Sequence, residues 1–145
     1  MADLFAPVSP WPASRVADGD WPALAEALDA RGHAHLPQLL NADECRALAA
    51  LYAEPAHFRS RVVMARHGYG RGEYRYFAYP LPPLVATLRE TLYPPLAGIA
   101  NRWHAAMNLA TRFPATHADF LARCHAAGQC RPTPLLLQYG ADDYN

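Results

Sequence analysis

Between Phe58 and Pro80, five arginines (Arg59, Arg61, Arg66, Arg71 and Arg75) stand against one acid, Glu73, and alternate with Phe58, Tyr69, Tyr74, Tyr76, Phe77 and Tyr79. A guanidinium is planar, permanently charged and able to take a carboxylate or phosphate through paired bonds, and a phenol ring offers a face for stacking. Interleaved in one stretch, the two side-chain types can grip nucleobases and carboxylates. Gly68, Gly70 and Gly72 sit at alternate positions and would let the intervening turn move over a substrate. Arg66, Tyr69, Arg71 and Tyr74 are therefore the candidates for substrate contact. The same glycines do not make a phosphate-binding fingerprint, because the G-x-G-x-x-G spacing and an immediate helix are both missing. A plain hairpin turn is the competing reading.

Other reactive side chains form weaker patterns. His33 and His35 would share one face of a strand, as metal ligands can, but no third ligand lies near them in sequence. His117, Cys124, His125 and Cys130 lack C-x-x-C or H-x-x-x-H pairing, and Cys124 fits the buried side of a helix. His104, beside Trp103 on a helix, is read as packed or solvated. Asp142 and Asp143 follow an apolar run, where aspartates make local hydrogen bonds in a turn. Tyr139 ends that run and needs a partner for its hydroxyl. No catalytic triad and no P-loop is present, and no residue is assigned as catalytic or as a metal ligand.

The elements that must position these groups follow from periodicity and punctuation. Residues 1–19 carry Pro7, Pro10, Pro12 and Gly19 with little periodicity and are read as a flexible N-terminal arm. Asp20 caps a short helix over 21–31, closed by Gly32. Asn41 and Glu44 have capping-box spacing for a second helix, with Cys45, Leu48, Ala49 and Tyr52 inward and Pro55 ending it. Arg61–Met64 and Glu73–Tyr79 read as two strands of a hairpin or wide loop. Pro82-Pro83 opens a long helical stretch through Met107, which Pro94-Pro95 should kink or split. Thr116 caps a further helix with Phe120, Leu121 and Cys124 inward. Leu135–Tyr139, bounded by prolines and by Gly140-Ala141-Asp142-Asp143, reads as a strand buried on both faces. Helices, hairpin, helices and a strand in that order give an α+β class.

The chain has 145 residues with 52% hydrophobic and 11% aromatic content, enough for one domain with a real core. Its 13 basic residues, all arginine, balance 13 acids, so the molecule as a whole is not a polyanion binder by charge. Three cysteines form no paired framework, which fits a reducing cytoplasm. Neither a signal peptide nor an apolar run long enough to span a membrane is evident.

The stretches FRSRVVMARHGYGRGEYRYFAYPLP and RPTPLLLQYGADDYN resemble the front half of a bacterial Fe(II)/2-oxoglutarate-dependent oxygenase family. That family is similar in outline to prolyl hydroxylases and is linked by analogy to oxidative repair of alkylated DNA. The resemblance covers roughly residues 21–145, within an oxygenase-domain portion taken as 20–145. It implies N-terminal helices followed by the first strands of an incomplete double-stranded β-helix, a jelly-roll. It also implies that Tyr139 faces 2-oxoglutarate. The family's His-x-Asp…His iron ligands are not found here. His117-Ala118-Asp119 has the letters, but at a helix start its two side chains would diverge by about 200°. The expectation is therefore an N-terminal portion of an oxygenase. Its Fe(II) and 2-oxoglutarate would belong to the full-length protein, with none held tightly by this portion. Its substrate would be a small molecule, a peptidyl residue or a nucleobase, and its exposed strand edges would favour self-association. The alternative is a non-catalytic module that binds nucleic acid or an acidic partner through the Arg/aromatic hairpin 58–80.

Overall fold

A computed structural model describes residues 11–145. The described residues fall into two units: a helical one made of the chain up to Asn41 together with Pro83–Gln129, and one containing a sheet, made of Ala42–Pro82 and Cys130–Asn145.

The helical unit contains α1 (Trp11–Ala17), α2 (Trp21–Arg31), α4 (Pro83–Ala106) and α5 (His117–Ala126); α3 belongs to the other unit. Local chemistry sets the ends of α2 and α5. The Asp20 side chain accepts from the Ala23 amide at 3.1 Å, and Gly32, at φ 74°, donates its N–H to the Leu28 carbonyl. Thr116 Oγ1 accepts from the Asp119 amide at 3.1 Å, so His117 and Asp119 do sit on the first turn of a helix. The supposed arm differs from expectation where it is described. Residues 11–17 are helical, and Pro12 and Val16 are buried. Two buried apolar groups there outweigh the weak periodicity. Residues 1–10 lie outside the described residues.

Nor do Pro94 and Pro95 split the long helix; α4 runs through both. Each proline leaves the carbonyl four residues earlier, on Glu90 and Thr91, without its helical donor. Packing on either side offsets that loss. Ala97 and Ile99 are buried, α1 and α5 pack against α4, and the Tyr93 ring stacks on Phe120 at 5.3 Å while its hydroxyl donates to the Pro114 carbonyl at 2.9 Å. Further along, Asn101 clamps Phe113 through both its backbone groups, and Asp29 of α2 accepts from Arg102 at 2.8 Å and from Trp103 Nε1 at 2.6 Å.

His117 makes this packing sensitive to pH. Its ring lies edge-on to Tyr93, with Nε2 buried and unpartnered. Burial first, and the charge of Arg89 second, hold its pKa below the ordinary 6.5, against a smaller opposing effect of Glu90. Below pH 6.5 the unfolded chain therefore binds a proton that the folded chain resists, so stability is full above that pH and falls as pH drops toward the folded pKa. Thermal melts between about pH 7.5 and about pH 5.5 should show the loss, and His117→Gln should flatten it. An unchanged pH slope in the variant would count against this account.

The second unit holds α3 (Ala42–Ala50), two 3-10 turns (Leu51–Ala53 and Pro55–His57), β1 (Phe58–Val63), a third 3-10 turn (Met64–His67), β2 (Glu73–Phe77) and β3 (Leu135–Gln138). The sheet is antiparallel with order β1-β2-β3. The class is α+β with a small three-stranded sheet. The inward face expected for α3 is corrected in part. Leu48 is half-buried and Tyr52 is buried, but Cys45 and Ala49 are exposed, because the chain leaves the α-helix at Ala50 and Leu51 and Tyr52 turn inward from a 3-10 turn. β3 is also not buried on both faces, since Leu137 is 49% exposed.

Candidate functional site

Side chains alternate across a strand, so the register sorts the sheet into two faces. One face carries Arg61, Val63, Glu73, Arg75, Phe77 and Leu136. The other carries Val62, Tyr74, Tyr76, Leu135 and Leu137.

On the first face the charges are paired internally, although the buried Nε of Arg75 has no hydrogen-bond partner. Glu73 accepts from the Tyr52 hydroxyl at 3.0 Å and from Arg61 Nε at 2.7 Å, with a second, closer contact from Arg61. Arg61 holds the Glu73 pKa below the usual carboxylate range, and the Tyr52 bond adds to this against the opposing effect of burial. Burial, reinforced by the neighbouring carboxylate, raises the pKa of Tyr52. Arg75 lies 4.6 Å over the Tyr52 ring and donates to the Tyr52 carbonyl at 3.0 Å. Arg61 and Arg75 are therefore occupied in holding the fold. The sequence signal for this was the lone acid among five arginines.

The second face is partly open, with Val62, Tyr74, Tyr76 and Leu135 half-buried and Leu137 exposed. Tyr74 and Tyr76 meet edge-on at 5.6 Å, and Arg59 caps the row by lying 4.4 Å over Tyr76 while its Nε reaches the Pro132 carbonyl. Tyr74 stands opposite the exposed Leu137. Tyr139 follows one residue beyond β3, next to Gly72 in the same register. A Cβ on Gly72 would meet the Tyr139 ring at 2.9 Å, so the phenol lies directly on that glycine. Tyr74 and Tyr139, picked out from different stretches of sequence, thus come to one face of one sheet.

Beside them lies an open cleft of ≈ 530 Å³ lined by Gly72, Glu73, Gln138, Tyr139, Gly140 and Asp143. Asp143 Oδ2 accepts from the Gly140 amide at 2.8 Å, which is the local turn bonding expected of it. A larger concavity of ≈ 800 Å³ lies in the helical unit, where Arg15 and Arg31 are mixed with Asp18 and Asp20; His35 lines it, but none of the expected substrate or cofactor contacts does.

The remaining candidates sit at the tip of the hairpin. Arg66 belongs to the 3-10 turn, and Tyr69 follows it with its N–H on the Met64 carbonyl and its ring stacked on His67 at 5.4 Å. Arg71 exchanges both backbone bonds with Tyr144, at 2.7 and 3.0 Å, so the last residues are laced to this tip. Sequence reasoning missed that return. Gly70, whose Cβ would stand 2.2 Å from the Tyr144 carbonyl oxygen, was the available clue. Among the described residues, no group of three or more His, Cys, Asp and Glu side chains could hold a metal ion, and no helix is long and apolar enough to cross a membrane.

Residues 72–145 match a family described as an oxygenase catalysing oxidative methylation of damaged DNA. The chain belongs to this oxygenase family. The matched segment begins at Gly72 and includes β2, β3, Tyr74 and Tyr139, so the partly open sheet face lies largely within it. Two uncharacterized proteins of Mycobacterium tuberculosis, from strains CDC 1551 and H37Rv, are each 44% identical over 69 residues, which is 48% of this oxygenase chain and 30% of the relative. The chain thus spans 30% of the length of these curated relatives. No solved structure matches it.

Proposed function

We propose that this chain forms a wall of the substrate cavity of an oxygenase that oxidises an alkyl group on a damaged nucleobase. The family match over residues 72–145 carries the reading, because that segment contains the partly open face on which Tyr74, Leu137 and Tyr139 gather. In this reading the phenol of Tyr139, fixed in direction by Gly72, offers a hydroxyl to a bound carboxylate or base edge. Tyr74 and Leu137 supply the apolar wall that keeps water from it. The resemblance of the two sequence stretches adds Fe(II) and 2-oxoglutarate as the cofactor pair, and extends the sheet into a jelly-roll.

The described residues do not by themselves fit a ferrous centre. Such a centre needs several histidine or carboxylate ligands converging on one point, and Tyr139, with its single oxygen, is no substitute. We therefore place the metal ligands outside the described residues, in keeping with a chain that spans only 30% of its relatives.

The test is oxygen consumption and formaldehyde release with an N-methylated oligodeoxynucleotide and added Fe(II) and 2-oxoglutarate. It is run on this chain and on a protein in which the chain is continued to the length of its relatives. Turnover is expected only in the longer protein, with Tyr139→Ala lowering it by about tenfold or more, the loss of roughly one oriented hydrogen bond. Absence of turnover in both proteins, or indifference to Tyr139→Ala, would overturn the proposal.

A further inference from the structure

We infer that the tip of the β1–β2 hairpin, with Arg66, His67, Tyr69, Arg71 and Tyr144, is a docking surface for single-stranded nucleic acid. The inference deepens the reading above and rests on it for the choice of polymer. Three observations carry it. First, the charge at the tip is available. Arg66 is exposed, and its guanidinium has no partner among the described residues; the side chain of Arg71 is exposed and faces only Asp143, at 3.8 Å. Arg61 and Arg75, by contrast, are occupied by Glu73 and Tyr52.

Second, the aromatic groups at the tip are displayed rather than packed. Tyr69 is 55% and Tyr144 62% exposed, in a chain that buries Phe77 to 1%. Tyr69 is also held in place by its stack on His67 and its bond to the Met64 carbonyl, so a stacking face is set before any ligand arrives. Third, the surface is continuous. Tyr69 and Arg71 are two residues apart, within roughly 7 Å of chain, and Arg71 is paired directly with Tyr144.

Cations alternating with exposed rings fit a chain of phosphates that carries unpaired bases. A duplex hides its base faces and is read by a helix or a free two-stranded ribbon in the groove. This tip has only a four-residue 3-10 turn, and β3 already pairs along β2. An acidic peptide would use the arginines but leave the rings without a role. The net charge of zero is no obstacle, because binding would depend on the local pair of exposed arginines, Arg66 and Arg71, rather than on the charge of the whole chain.

Fluorescence anisotropy of a labelled thymidine oligomer of about 12 nucleotides, titrated with the 145-residue chain over a salt series, tests the inference. Binding should weaken as salt rises. Tyr69→Ala should lower affinity by roughly 5- to 100-fold while Tyr69→Phe retains it, and Arg66→Ala should flatten the log–log salt slope by about 0.7. A uridine oligomer separates DNA from RNA; tighter binding of the uridine strand would keep the single-strand inference while contradicting the DNA reading. The inference is overturned if no single strand binds at low salt or if a duplex binds as well. It is equally overturned if polyglutamate competes equally or Tyr69→Ala binds like the parent. Because binding is read without turnover, loss of the oxidation assay with binding intact would remove only the catalytic proposal.

Discussion

Phe77→Ala should destabilise the unit that contains the sheet by about 3–5 kcal/mol. Phe77 is 1% exposed and stacks on Phe58 at 4.9 Å, and its N–H donates to the Pro134 carbonyl at 3.0 Å. The Phe77 ring thus ties the end of β2 to the start of β1, while its backbone ties β2 to the entry to β3. Truncation removes the ring from Phe58 but keeps the backbone bond to Pro134, and it leaves a cavity that the antiparallel frame closes only partly. A domain of this size has about 5–15 kcal/mol in total, so the loss takes a large part of it. The three tryptophans, Trp11, Trp21 and Trp103, all belong to the helical unit, so their fluorescence does not report the change directly. Amide exchange across β1, β2 and β3 does. It should accelerate throughout the sheet, whereas Tyr69→Ala, at a site 55% exposed, should shift stability by about 0.5 kcal/mol or less. A loss below about 1 kcal/mol for Phe77→Ala would show that the sheet is held from elsewhere.

What could be read from the sequence was what local chemistry decides. The ends of α2 and α5 were legible because Asp20, Gly32 and Thr116 act within four residues of themselves. β1 and β2 were legible in part, because β-branched and aromatic residues lie on either side of the Gly68–Gly72 turn; β1 starts at Phe58 and gives way at Met64 to a 3-10 turn, and β2 stops at Phe77 rather than Tyr79. The course of α4 through Pro94 and Pro95 was not, since the compensation comes from Ala97, Ile99 and the Tyr93–Phe120 stack, which are tertiary facts. Leu135-Leu136-Leu137 shows the converse. An apolar run states what a strand would bury if it had neighbours, and here Leu137 stays half open.

The site divides in the same way. Residue types marked Tyr74 and the resemblance marked Tyr139, and the register then placed them on one face. The residue types also marked an excess of arginine, but only the contacts separate Arg61 and Arg75, which brace Glu73 and Tyr52, from Arg66 and Arg71 at the tip. The return of Tyr144 to Arg71 was invisible, because it is a backbone pairing across more than seventy residues with no side-chain signature except a glycine where none other fits.

That glycine gives the second large expected effect. Gly70→Ala should detach the last residues from the hairpin. Gly70 sits at φ +104°, a conformation costing a non-glycine residue about 1–3 kcal/mol. Its new Cβ would stand 2.2 Å from the Tyr144 oxygen and 3.0 Å from the Tyr144 carbonyl carbon and Asn145 Cα. All three are backbone atoms, so no side chain can swing aside. The cheapest relief is to break the two Arg71–Tyr144 bonds, together about 1–3 kcal/mol, and let residues 144–145 leave. That escape caps the clash penalty, so the core of the sheet should survive while the amides of Arg71 and Tyr144 lose roughly 5- to 150-fold of their exchange protection. Gly68→Ala is the control. It has a positive φ of +70° but open space around its Cβ, and it should cost about 1 kcal/mol with the Arg71–Tyr144 pair intact. If Gly70→Ala keeps both amides protected, the pair has absorbed the new Cβ without parting, and this account of Gly70 fails.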